Sequence, residues 1–113
     1  MFPFVAILFF ASLSTSLFAQ EQYHSQKSPK WLSSNGYWVV ESNVKTPKNS
    51  TIYFYNNDHV MVYKETVQGV KIRVDRVKTL KRLRTVLDES VIAWQQQHVI
   101  KENQMLVATA FRR

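Results

Sequence analysis

The chain has 113 residues, 15 Lys+Arg against 8 Asp+Glu for a formal charge of +7, and no cysteine. That length suits one domain and leaves little room for two, and the lack of Cys excludes disulfide staples and a lipid-modified N-terminal cysteine. The positive balance fits plain solubility and also fits attraction to polyanions such as envelope lipids, acidic glycans or nucleic acid.

From Phe2 to Ala19 every residue is apolar, small or hydroxylated, and the first charge is Glu21. A secretory signal needs an apolar core of roughly 7–15 residues and a small residue before the cut. Phe4 to Ala11 supplies the core and Ala19 before Gln20 supplies the exit. The start lacks Lys or Arg, and Leu17 is large for its place. An uncleaved anchor would need about 20 predominantly apolar residues, and hydroxyl residues interrupt this stretch. Residues 1–19 are therefore predicted to be a signal peptide. The mature protein is expected to be periplasmic or secreted and not transmembrane after cleavage.

Residues 20–35 are polar, contain Pro29 and read as an extended lead-in with Trp31 as its anchor. From Gly36 to Asp75, β-branched and aromatic runs alternate with turn residues, the pattern of an antiparallel meander. Four strands are predicted: Tyr37 to Asn43, Ser50 to Tyr55, His59 to Val67 and Val70 to Asp75. Pro47 falls in the first loop, Asn56-Asn57-Asp58 in the second and Gln68-Gly69 in the third.

The period then changes. Leu80, Leu83, Leu87, Val91 and Trp94 recur at helical spacing, which predicts an amphipathic helix from Val77 to about Gln97. Asp75 and Thr79 are both acceptable N-caps. Met105 to Phe111 reads as a fifth strand or as a tail over the helix, where it would cover Val86 and Ile92. The expected fold is α+β: a four-stranded or five-stranded antiparallel meander with one amphipathic C-terminal helix on one face, in a single domain spanning 36–113.

Alternation splits each strand into two faces. Ile52, Phe54, Val60, Val62, Val70, Ile72 and Val74 form an aliphatic face for the helix. The opposite face collects Tyr53, Tyr55, Met61 and Tyr63 beside Lys71 and Arg73, an aromatic and basic surface that is the candidate ligand-binding site. Tyrosine suits such a surface because it offers apolar area with one wet end. A covered face, under the lead-in, the C-terminal segment or a second chain, is the competing reading. Lys71, Arg73, Arg76, Lys78, Lys81, Arg82 and Arg84 also bunch near the start of the helix, where the macrodipole disfavours them, and Arg84 can reach Asp88 at i+4.

No catalytic constellation is visible. His24, His59 and His98 lack metal-site spacing. Glu41 and Glu65 could meet across strands, but two strand carboxylates do not define an acid–base pair. No nucleophile elbow, phosphate loop or dinucleotide fingerprint occurs. An enzyme, a cofactor and a metal are not expected.

The signal ending Phe18-Ala19-Gln20, followed by GYWVVESN, TPKNSTIYFYNNDHVMVYKE and a Leu-rich basic helix, resembles small exported proteins of Gram-negative bacteria that carry no assigned activity. The resemblance implies an envelope location and transfers no functional residue. The sequence thus suggests a non-enzymatic exported binding or interaction module for an envelope polyanion or glycan. The alternative is a structural protein or homo-oligomer with that face covered by a protein partner. Export argues against nucleic acid.

Overall fold

The three central strands form where β-branched and aromatic residues alternate with polar ones, and two polar strands flank them. In the computed structural model, which describes residues 23–112, they build one five-stranded sheet in chain order. The predicted signal peptide lies outside the described residues. Strands β1 (Tyr23–Lys27), β2 (Gly36–Asn43), β3 (Ser50–Asn56) and β4 (Met61–Val67) pair antiparallel in succession. Helix α1 (Val77–Gln97) follows, then the short strand β5 (Lys101–Glu102), parallel to β4, and helix α2 (Leu106–Arg112). The architecture is α+β, with both helices on one side of the sheet.

The core lies between that side and the helices. Trp38 and Val40 of β2, Ile52 and Phe54 of β3, and Tyr63 and Val67 of β4 pack with Leu80, Leu83, Val86, Leu87 and Val91 of α1. Trp38 is only 1% exposed. Each large apolar side chain removed from water contributes about 1.5–3 kcal/mol, so the α1 stripe is a principal source of tertiary stability. Helix α1 spans the range expected from its periodicity. Its N-cap position is Arg76, with no side-chain cap hydrogen bond, so neither Asp75 nor Thr79 caps it, and Thr79 is buried inside the first turn.

Four expectations need correction. First, part of the lead-in is a strand: Tyr23–Lys27 pairs along β2, with Ser25 opposite Glu41. Second, Val70 to Asp75 forms no strand. The alternation there is real, since Ile72 is buried and Val70 and Val74 pack against the core. However, the place beside β4 is taken by β5, and the segment crosses the helix side with Val70 N–H bonded to the Lys48 carbonyl. Third, of the two arrangements expected for Met105 to Phe111, the strand does not form and the tail over the helix does: the segment contains a helix that packs on α1, with Leu106, Val107, Ala110 and Phe111 against the core cluster. Val86 is covered, but Ile92 is 53% exposed.

Fourth, β4 turns a different set of side chains to the helices than strict alternation predicts. The register shifts between Phe54 and Tyr55, so that Tyr55 faces Met61 while Phe54 faces Tyr63. Val62 is thus the extra residue of a β-bulge, and the alternation restarts after it. Val62, Tyr63, Glu65 and Val67 are all buried, although simple alternation puts Tyr63 and Glu65 opposite Val62. The turn leading into this bulge is built by Asn56, whose Oδ1 accepts from Asp58 N–H and Val60 N–H at 3.0 Å each. His59 there adopts φ +62°.

Gly36 opens β2 at φ +153°, and a Cβ at this position would run into the Tyr55 carbonyl oxygen. The residue facing it across the pair is Asn56, so the clash is with backbone that the hairpin holds in place. Gly36→Ala is expected to destabilise the protein by about 1–3 kcal/mol, lowering the thermal midpoint by roughly 5–20 °C. A circular-dichroism melt measures this, and an unchanged midpoint would show that the β2–β3 pairing can yield at this point.

Candidate functional site

The face of the sheet turned away from the helices carries the exposed aromatic chemistry. Antiparallel register brings Tyr37 opposite Tyr55, Val39 opposite Tyr53, Tyr55 opposite Met61 and Tyr53 opposite Lys64. On the other flank Lys27 of β1 lies opposite Val39. Cross-strand neighbours on one face sit about 4.5–5.5 Å apart, close enough for the side chains to form one continuous patch. All of these residues except the exposed Lys27 are half-buried, and no helix of the described residues covers them.

Three contacts organise the patch. Tyr37 and Tyr55 stack with centroids 4.9 Å apart and planes 15° apart. Lys27 Nζ lies 4.3 Å from the Tyr37 ring centroid, and Lys64 Nζ lies 5.6 Å from that of Tyr53. Both distances are within the range of a cation–π attraction. The Tyr37 hydroxyl shares a 3.0 Å hydrogen bond with His59 Nδ1. Partial burial, then the nearby Glu41 carboxylate, raise the Tyr53 phenol above its ordinary value, so it stays neutral and a hydrogen-bond donor at neutral pH. The result is a surface of ring faces and hydroxyls with two tethered ammonium groups.

Of the six residues expected at this site, Tyr53, Tyr55 and Met61 are together on it. Tyr63 is not, because the bulge turns it into the core. Lys71 and Arg73 are exposed on the segment that crosses the helix side, so the expected basic partners are on the wrong side of the sheet. Tyr37, Lys27 and Lys64 take their places. Tyr37 was legible from the alternation of β2. Lys64 was hidden by the bulge and Lys27 by the polar composition of β1.

Tyr63 serves a different purpose. Its hydroxyl donates to Glu65 Oε1 at 2.5 Å and accepts from Gln104 N–H at 2.9 Å. Glu65 in turn accepts from Val107 N–H and Ala108 N–H at 2.9 Å, one through each carboxylate oxygen. A carboxylate on the first turn of a helix satisfies otherwise unpaired donors, and here it docks α2 onto β4. Asn103 adds a side-chain bond from Thr66 N–H at 2.9 Å. Glu65 is buried on the helix side while Glu41 lies on the open face, so the two carboxylates cannot act on one substrate. A shallow cleft of about 360 Å³ opens between the end of β4 and α2, but the one carboxylate on its wall is already fully engaged.

No group of three or more His, Asp or Glu among the described residues is placed to hold a metal ion. No described helix is long and apolar enough to cross a membrane. Comparison with protein-family models, curated proteins and solved structures returned no match.

Burial, then the hydrogen bond to Glu65, hold the Tyr63 phenol well above its ordinary value of 10.0. A raised phenol contributes stability that is fully present below about pH 10 and is lost as pH climbs toward the folded-state value. Tyr63→Phe removes the donor to Glu65 and is expected to cost about 1–3 kcal/mol at pH 7, with a smaller loss of stability above pH 10 than the parent chain shows. Urea melts at pH 7 and pH 11 measure both effects. Equal alkaline sensitivity in the two chains would exclude Tyr63 as the titrating group.

Proposed function

We propose that the chain is a non-enzymatic exported binding module that takes up an anionic glycan polymer on its open sheet face. The observation that carries this reading is the pairing of partly exposed tyrosine rings with lysines on one surface that no described helix covers: Lys27 beside Tyr37 and Lys64 beside Tyr53. Ring faces offer flat apolar area to sugar rings, their hydroxyls offer hydrogen bonds, and the ammonium groups pair with carboxylate or sulfate. The rigid sheet presents these groups without a large ordering cost. Export enters this reading from the apolar N-terminal segment, and the net charge of +7 adds long-range attraction to a polyanion.

The full chain mixed with peptidoglycan, lipopolysaccharide and heparin at low and at high salt tests the reading. Retention on at least one of them at low salt, weakening as salt rises, is expected. Tyr37→Ala and Tyr55→Ala should each weaken binding by roughly 5–30-fold, the loss of about 1–2 kcal/mol typical of an aromatic contact. Lys27→Ala should mainly reduce the salt dependence. Lys71→Ala and Arg73→Ala, on the far side of the sheet, should leave binding nearly unchanged. No retention at low salt on any of the three polymers would sink the proposal.

A further inference from the structure

We propose that two copies of the chain pair edge to edge through β1, joining their sheets into one. Among the described residues strand β1 is bonded on one side only, and all five of its residues are exposed. An edge of this kind presents unpaired N–H and C=O groups to any strand that fits it. The opposite edge of the sheet is closed off. There β5 pairs with Tyr63 and Lys64, and the Asn103 side chain takes the next free donor, Thr66 N–H. Among the described residues nothing comparable protects β1, whose interior, His24-Ser25-Gln26, holds no Pro, no Lys and no bulge.

The phase of the hydrogen bonds selects the register. Ser28 N–H donates to the Trp38 carbonyl, so positions 28, 26 and 24 bond toward β2 and the groups of Tyr23, Ser25 and Lys27 point away from it. A two-fold axis through Ser25 pairs each of these with an outward-facing residue of the second copy. Ser25 meets Ser25, and Tyr23 meets Lys27, each pair exchanging two backbone hydrogen bonds. Centring the axis on Lys27 instead would set like charges opposite each other, which is destabilising.

The side chains agree with this register. Tyr23 is 52% exposed and lies on the open face with Lys27. In the pair, the Lys27 ammonium that sits over Tyr37 of its own chain gains Tyr23 of the other copy as a cross-strand neighbour. Such an isologous contact closes after two copies. It also leaves the tyrosine face uncovered and continuous across both chains, so the pairing is independent of ligand binding there.

The cysteine-free full chain gives a direct test. Sedimentation should show a dimer whose dissociation constant falls as salt rises, because both copies are positive, the reverse of polyanion binding. Ser25→Pro deletes the central outward N–H without removing a bond to β2, a place where edge strands accept proline. It should raise the dissociation constant at least tenfold with an unchanged far-ultraviolet spectrum. Hydrogen-bonded antiparallel partners have Cα atoms about 5.5 Å apart, within disulfide reach, so Ser25→Cys should cross-link on oxidation faster than His24→Cys. A wild-type chain that stays monomeric at all concentrations overturns the inference, as does a Ser25→Pro chain that dimerises as tightly as wild type. Should Ser25→Pro fail to fold, the cross-linking rates decide: a faster Ser25→Cys supports the pairing and equal rates refute it.

Discussion

One additional residue in β4 governs most of what distinguishes this molecule. The bulge at Val62 rotates the following strand so that Tyr63 and Glu65 enter the helix side of the sheet. A buried carboxylate is costly without donors, and the donors here are the Tyr63 hydroxyl and the first-turn amides of α2. The C-terminal segment is thereby fastened along β4, and β5 occupies the edge that a fourth hairpin strand would otherwise use. Val70 to Asp75 is left to run across the helix side, where Ile72 is buried and Lys71 and Arg73 remain in solvent.

The same rotation sets the character of the open face. With Tyr63 withdrawn, its place on that face falls to Lys64, which reaches toward Tyr53. Lys27 makes the matching approach to Tyr37 from the other flank. The charge on this surface is therefore held against aromatic rings, whereas the larger basic run of α1 is on the opposite side. Helix α1 has no acidic residue in its first turn and no side-chain N-cap, so its start is electrostatically unfavourable by about 0.3–1 kcal/mol per nearby exposed cation. Packing of the Leu stripe outweighs that cost. The i,i+4 pair of Arg84 and Asp88, at 3.9 Å with Arg84 exposed and Asp88 half-buried, contributes little.

The two edges of the sheet are built differently for a related reason. On one side, a two-residue strand, the Asn103 side chain and α2 finish the ladder within the chain. On the other, β1 ends it with a polar strand whose outward backbone groups meet no partner among the described residues. A small domain without disulfides depends on its core for stability, and the open face and the free edge are where it has surface available for contacts beyond itself.

The order of residues alone was enough for the α+β class, the extent of α1, the presence of β2 and β3 and the two faces of β3. These are features that a period of two or 3.6 specifies locally, as in Phe54 against Tyr53, or Leu80 through Val91. Tertiary structure alone decided the rest. Whether Tyr63 points in or out depends on a bulge that one strand makes against another, and a bulge resets the alternation without leaving a mark in composition. Whether Tyr23–Lys27 is a strand depends on β2 offering it an edge, since its own residues carry no apolar pattern. Whether Met105–Phe111 is helix or strand depends on Glu65, forty residues away, supplying the hydrogen-bond acceptors at its start. Pairings between distant segments draw on backbone groups that every residue shares, so the residue sequence alone could not reveal which partners they would find.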